Sequence, residues 1–357
     1  MTPAVVVVGA GVGGLAVAAR SALRGCSTSV VDIDPAVARA VSNGIEVQGR
    51  EQGFAPIAAA TTRAEEVIAG ADLVIVCTQA QQVPDVARTL DPLLGANQVV
   101  LVKPGCTGGA LEFRNVATRA RRLGTVFAEA DAFVFGSRVP KPGVVYIASV
   151  KRSFAVATLP ADAVDATVEL VRAVFPEARS AESVLHTGLS NMNPILHVAP
   201  MLANVGRIEL ESESFDFYGE GVTPGVARVM EAHDRERLAI ADALGVSVPS
   251  VREWIGATYN VDCDELYSGI AQLSSEVYGP VPAPAKLEHR FLTEDVECGA
   301  VPVTSLGRQL GVDVSVTAHS IALASTLLGR NLEASGRTTR RLGLDGLGAS
   351  EIAAAVC

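Results

Sequence analysis

The chain has 357 residues, 49% of them hydrophobic and 19% charged, and a formal net charge of −10. That length supports two domains with substantial cores, and the composition excludes a disordered chain. An acidic balance with no Lys/Arg-rich block argues against nucleic acid or an anionic membrane as the main partner.

The first third alternates strand and helix. "AVVVVGAG" is an apolar run ending in glycine, and "LAVAARSALRG" has helical spacing up to Gly25. "STSVVDID" reads as a second strand, and "ADLVIVCT" and "QVVLVKPG" as two more, with a helical stretch between them. Strands alternating with helices predict a parallel sheet covered by helices. "VVYIASVKRSFAVATLP" reads as two strands joined by a basic turn, and "ADAVDATVELVRAVF" as the helix closing this domain. Residues 1–19 carry no charged side chain, yet they lack a basic leading segment and contain a glycine motif, so they read as part of the fold rather than as a secretion signal.

That motif, "VVVVGAGVGG", places Gly9, Gly11 and Gly14 in G-x-G-x-x-G spacing. The first glycine permits the tight turn out of the strand, the second lets backbone approach a pyrophosphate, and the third lets helix pack on sheet. The strand before it, the helix after it and an acidic residue ending the second strand are the context a dinucleotide site requires. Asp32 is that residue, suited to the adenosine ribose hydroxyls, and Asp34 adds to its repulsion of a 2′-phosphate. This favours NAD over NADP. The alternative for Asp32 is a turn cap with Asp34 and Pro35. Thr78, Pro104 and Gly105, at the ends of the next strands, complete the candidate cofactor contacts.

Beyond about Ser183 the strand signal fades. The stretch 191–206, "NMNPILHVAPMLANVG", has no Asp, Glu, Lys or Arg. Asn193 is the expected N-cap and Pro194 suits the first helical position. Apolar residues on all sides predict a buried helix, kinked at Pro200. Its prolines, asparagines and histidine argue against a membrane span. His197 is then either a core histidine satisfied by a carbonyl or a catalytic group. "TPGVARVMEAHDRERLAIADALG" reads as a long amphipathic helix capped by Thr223. His233 within it, and most arginines of this half, are expected to be solvated. "SVREWIGATY", "PVTSLGRQLG" and "SVTAHSIALASTLLG" are further helices. The predicted architecture is therefore α/β: an N-terminal Rossmann-type doubly wound sheet over residues 1–183 and a C-terminal all-helical domain over 184–357. The six cysteines are scattered with no C-x-x-C pair, which reads as reduced thiols in a cytoplasmic protein. No His/Cys/Asp cluster has metal-ligand spacing.

A dinucleotide fold joined to a buried histidine on a helical domain resembles the octopine/opine dehydrogenase family. "NPILHV" is similar to that family's catalytic-histidine segment, and "KPGCTGGALEF" (103–113) to the loop approaching the nicotinamide. "YGEGVTPGVARVMEAHDRER" resembles its second helical segment, and "LEHRFLTEDVECGAVP" (287–302) its late acidic segment. The resemblance implies reductive condensation of an amino acid's amine with a 2-oxo acid. It makes His197 the general acid/base, Asp295 its partner and Arg290 a ligand of a substrate carboxylate. Asn193 and Thr223 are candidate substrate contacts that are also explicable as caps. One departure stands out: the family loop begins Asn-Pro-Gly, whereas this chain has Lys103 before Pro104. The competing readings are an NAD-dependent hydroxy acid or ketopantoate-like dehydrogenase, whose chemistry needs no amine, and an NAD-binding sensor without turnover. The expected partners are an amino acid and a 2-oxo acid. Which ones, and whether the chain forms a homodimer, are left open.

Overall fold

The computed structural model describes residues 2–210 and 214–357. The chain divides into two compact units, Met1–Gly188 with Val356–Cys357, and Leu189–Ala355. The expected boundary at 183/184 falls slightly before this division.

The first unit holds two sheets. Its strands are β1 (Ala4–Val8), β2 (Ser27–Val31), β3 (Ile45–Gly49), β4 (Gly53–Ala55), β5 (Ala59–Thr61), β6 (Leu73–Val76), β7 (Val99–Val102), β8 (Val126–Ala130), β9 (Phe135–Lys141), β10 (Val144–Val150), β11 (Phe154–Leu159) and β12 (Ala178–Ser180). The larger sheet runs β12-β11-β8-β7-β6-β1-β2-β5. From β5 to β8 every pairing is parallel, and β11 joins β8 antiparallel. β1, β6 and β7 are continuous apolar runs because helices cover both faces of a parallel sheet; Leu73–Val76 is wholly buried. The strand order reverses beside β1, and ligands bind at the carboxyl ends of the strands at such a switch point.

The second sheet, β4-β3-β10-β9, was not anticipated. It separates the two expected strands of "VVYIASVKRSFAVATLP": β10 belongs to this sheet and β11 to the larger one. Helix Val12–Leu23 packs against strands of both sheets. Its run of alanines provides the small side chains that permit close packing, and Gly14 through Ala22 are all buried. Arg20 in that run is compensated by ion pairs to Glu51 and Glu177.

The second unit is built on helix Asn193–Ala203, against which helix Pro224–Ala243 packs; the latter also contacts helices Val301–Leu310 and Ser315–Leu328. Two local expectations are corrected. Helix Asn193–Ala203 begins at Asn193 itself, so its N-cap position falls on Met192, which cannot cap with its side chain, while Asn191 Oδ1 accepts the Asn193 amide at 3.3 Å. In helix Pro224–Ala243, Arg228 and Arg235 are exposed as expected, but His233, Asp234, Glu236 and Arg237 are buried. His233 is 3% exposed and its Nε2 lies 2.8 Å from Ser320 Oγ, so burial pushes its pKa down to about 4. Arg237 and Arg337 are also buried. Arg237 pairs with Asp234 and donates to Pro249 O at 2.7 Å. Glu236 accepts from Val316 N and Thr317 N at 2.8 and 2.9 Å, holding the start of helix Ser315–Leu328. Buried charges persist where such partners satisfy them. Among the described residues no helix is long and apolar enough to cross a membrane.

Candidate active site

In the first unit the turn after β1 forms one wall of a cleft of about 600 Å³ lined by Gly9, Gly11, Asp32, Ile33, Glu65 and Thr78, among others. Gly9 has φ +91°, a left-handed conformation that suits glycine. A Cβ on Gly14 would stand 1.8 Å from Gly9 O, whereas one on Gly11 would meet nothing within 4 Å. Helix Val12–Leu23 starts there with no side chain capping its first amides, leaving donors and the positive dipole end for an anion. Thr78 Oγ1 is buried with no hydrogen-bond partner among the described residues. Open space at Gly11, uncapped amides and an orphaned hydroxyl together fit a nicotinamide dinucleotide. Asp32 closes the far end of this wall, its Oδ2 accepting from Ala10 N at 2.6 Å and its Oδ1 from Asp34 N at 2.9 Å. Pro104 and Gly105 lie in the loop after β7 and do not line this cleft.

Lys103, the residue by which that loop departs from the resembled family, turns inward. It is fully buried; its Nζ donates to Ala132 O at 3.0 Å and sits 3.3 Å over the Phe154 ring. Burial lowers its pKa from 10.5 to about 7, against the opposing pull of Asp131 and Cys77. Between those values the unfolded chain holds a proton that the folded chain does not, so this group makes stability rise with pH from about 7 to 10.5. Lys103→Met is expected to gain most on the parent at pH 7 and to give that gain back by pH 10, measured by denaturant unfolding. A difference constant across this range would contradict it.

The second unit brings His197 to Asp295 across 98 positions of sequence: Nδ1 lies 2.6 Å from Asp295 Oδ2. The approach depends on Gly299, where a Cβ would stand 2.2 Å from the Pro194 ring. The chain between these points makes wide turns, with Asp295 N donating to Arg290 O five residues back at 3.2 Å. His197 is 7% and Asp295 2% exposed. Burial raises the Asp295 pKa, opposed by its hydrogen bond to His197. Asp295 Oδ1 is buried without a hydrogen-bond partner among the described residues. The Phe291 ring stacks on the imidazole at 3.9 Å and 12°.

The other candidates are placed as follows. Arg290 is one turn before Asp295, its side chain 45% exposed and its Nε donating to Glu294 at 2.9 Å. Asn193 lies one turn before His197 on the same helix. Thr223 accepts from Val226 N at 3.4 Å, the expected cap of helix Pro224–Ala243. Tyr218 was not singled out from the sequence. Its hydroxyl lies 3.0 Å from His197 Nε2. It sits inside the "YGEGVTP" segment, but nothing in the local pattern says where a tyrosine hydroxyl points. Among the described residues no group of acidic, His or Cys side chains could hold a metal ion.

A glycine cradle on a doubly wound sheet and a separate helical unit with a buried imidazole–carboxylate pair define a nicotinamide-dependent dehydrogenase. Residues 180–328 match the family model described as NAD/NADP octopine/nopaline dehydrogenase, alpha-helical domain, and residues 5–127 match that of ketopantoate reductase PanE/ApbA. The chain is 32% identical to an opine dehydrogenase of Arthrobacter sp. (strain 1C) over 98% of each chain. A solved octopine dehydrogenase with NADH and L-arginine shares the fold at TM-score 0.82 and 19% identity over 98% of each chain. A yersinopine dehydrogenase with NADP+ bound does so at 0.74 and 14%, over 99% of this chain and 97% of the other. The chain belongs to the opine dehydrogenase family, NAD(P)-dependent oxidoreductases that act on CH–NH bonds through reductive condensation of an amine with a 2-oxo acid.

Proposed function

We propose that the first unit binds NADH and the second supplies the proton chemistry, with His197 as general acid/base, Asp295 as its orienting partner and Arg290 as the ligand of a substrate carboxylate. The observation that carries this reading is the buried 2.6 Å contact between His197 Nδ1 and Asp295. A carboxylate on Nδ1 fixes the tautomer with Nε2 as the unprotonated nitrogen that can take a proton, and stabilises the imidazolium that follows. His197 takes a proton from the substrate ammonium, and the amine nitrogen adds to the ketone carbon and passes one of its own protons to the oxygen, giving the carbinolamine. The proton held by His197 then goes to that hydroxyl, which leaves as water while the nitrogen lone pair closes the C=N bond. Gly9, Gly11, Gly14, Asp32 and Thr78, with Pro104 and Gly105 in the adjoining loop, would hold NADH, which would supply the hydride. Asn193 and Thr223 are substrate contacts in this reading. The free cysteines, four of them buried, support a cytoplasmic setting. NADH oxidation that requires an amino acid and a 2-oxo acid together tests the reading; oxidation with the oxo acid alone would return the chain to the hydroxy acid class.

Two further results are expected. Asp32→Ala should narrow the preference for NADH over NADPH, read as the ratio of kcat/KM for the two cofactors, because a negative group is removed from the ribose end of the cleft. Equal use of both by the parent would sink the assignment. Arg290→Lys should raise KM for a carboxylate substrate, because an ammonium cannot reproduce the two-point grip of a guanidinium. NADH affinity should stay unchanged. Replacing the substrate carboxylate by its amide should then hurt the parent more than the variant; equal losses would show that Arg290 does not touch that carboxylate.

A further inference from the structure

His197 has two ring nitrogens, and both are taken. Asp295 holds Nδ1, so only Nε2 can meet a substrate, and the Tyr218 hydroxyl stands 3.0 Å from it. The imidazole cannot tilt away, since Phe291 stacks on its face. Nor is Tyr218 loosely held. It is 7% exposed, with its ring edge-on to Phe217 at 5.1 Å and against Tyr278 at 5.9 Å. Its backbone is pinned by Asp216, whose Oδ1 accepts from Tyr218 N and Val281 N at 3.2 and 3.1 Å and whose Oδ2 accepts from Ser274 Oγ at 2.6 Å. A substrate that reaches Nε2 therefore meets the phenol first.

We propose that the Tyr218 hydroxyl is a further catalytic group, carrying the proton between His197 Nε2 and the oxygen that the substrate loses as water. The proposal rests on His197 being the acid/base of the condensation. With neutral His197 the phenol donates to Nε2. With the imidazolium, Nε2–H donates to the phenol oxygen, and the phenol proton is turned outward. In the dehydration step Nε2–H passes to the tyrosine oxygen as the tyrosine proton passes to the carbinolamine hydroxyl. The C–O bond breaks with its electron pair and water leaves. The amine lone pair closes the C=N bond, so the positive charge moves from imidazolium to iminium and nothing is oxidised. Burial and the neighbouring Asp295 charge raise the phenol pKa, which keeps Tyr218 a neutral donor at physiological pH.

The test compares the parent, Tyr218→Phe and His197→Ala in steady-state condensation, in light and heavy water and with NADH or its 4-deuterated form. Tyr218→Phe keeps the ring packing. It should lose about 10²-fold in kcat, the scale of a lost proton transfer, with NADH affinity retained. Its solvent isotope effect should exceed the parent's, because proton delivery becomes slower, and its hydride isotope effect should not grow. A kcat within about threefold of the parent overturns the proposal. So does a loss in which the hydride isotope effect grows and the solvent effect does not, which marks a packing role. If His197→Ala turns over normally, the assignment of His197 falls and the relay falls with it; if only Tyr218→Phe is normal, the relay falls alone.

Discussion

His197→Ala is expected to lower kcat by about 10²–10⁴-fold while leaving NADH affinity close to that of the parent, the range a positioned proton-transfer group contributes. The imidazole is buried between Asp295, Tyr218 and the Phe291 ring, so a core histidine and a catalytic one predict different outcomes. A packing role would appear as lost stability, with activity falling only as far as folding does. A chemical role would appear in kcat with the folded fraction unchanged. Asp295→Asn separates the two further. An amide in place of the carboxylate keeps the volume but no longer stabilises the imidazolium, so turnover should drop at unchanged stability. Near-parent rates in either variant, measured with saturating substrates, would return His197 to the core.

Gly14→Ala is the second large effect. The added Cβ would stand 1.8 Å from Gly9 O, so the helix start and the turn must move apart. Overpacking of this kind costs about 1–3 kcal/mol. A shift of about 1 Å in the cradle is on the scale that costs about 10²-fold in function. Gly11→Ala is the control, because nothing lies within 4 Å of its Cβ. Its melting temperature should match the parent's, while NADH affinity falls, since the new methyl fills the space a pyrophosphate approaches. Unchanged NADH affinity in both variants would show that the cofactor lies elsewhere.

The glycine turn was legible because Gly9 and Gly14 answer separate steric demands, a left-handed φ and a close helix–turn approach. Asp32 was legible because it ends the strand beside β1. His197 was conspicuous as the imidazole in an uncharged stretch, but its spacing did not decide between core and catalysis. The catalytic reading rests on Asp295, which lies 2.6 Å from it through the close crossing of Gly299 on Pro194; no local pattern encodes that. The same limit explains the misreading of His233 and why burial of Arg237 could not be foreseen. Their helix looks amphipathic with a charged, solvated face, yet Ser320 and the carbonyls of Leu189 and Pro249 come from distant positions to satisfy them. The second sheet escaped notice because β4 has three residues and β3 pairs with the remote β10. The cap of helix Asn193–Ala203 was misplaced by one residue: Asn193 is already helical and Met192 holds the cap position, a boundary that only the backbone path sets.

The most direct test of the central claim is the mass of the product formed from a nitrogen-15 amino acid, a 2-oxo acid and 4-deuterated NADH. Reductive condensation predicts one secondary amine carrying both labels, with one oxygen fewer than the two substrates combined. A hydroxy acid carrying deuterium, with the labelled amino acid recovered unchanged, would contradict it.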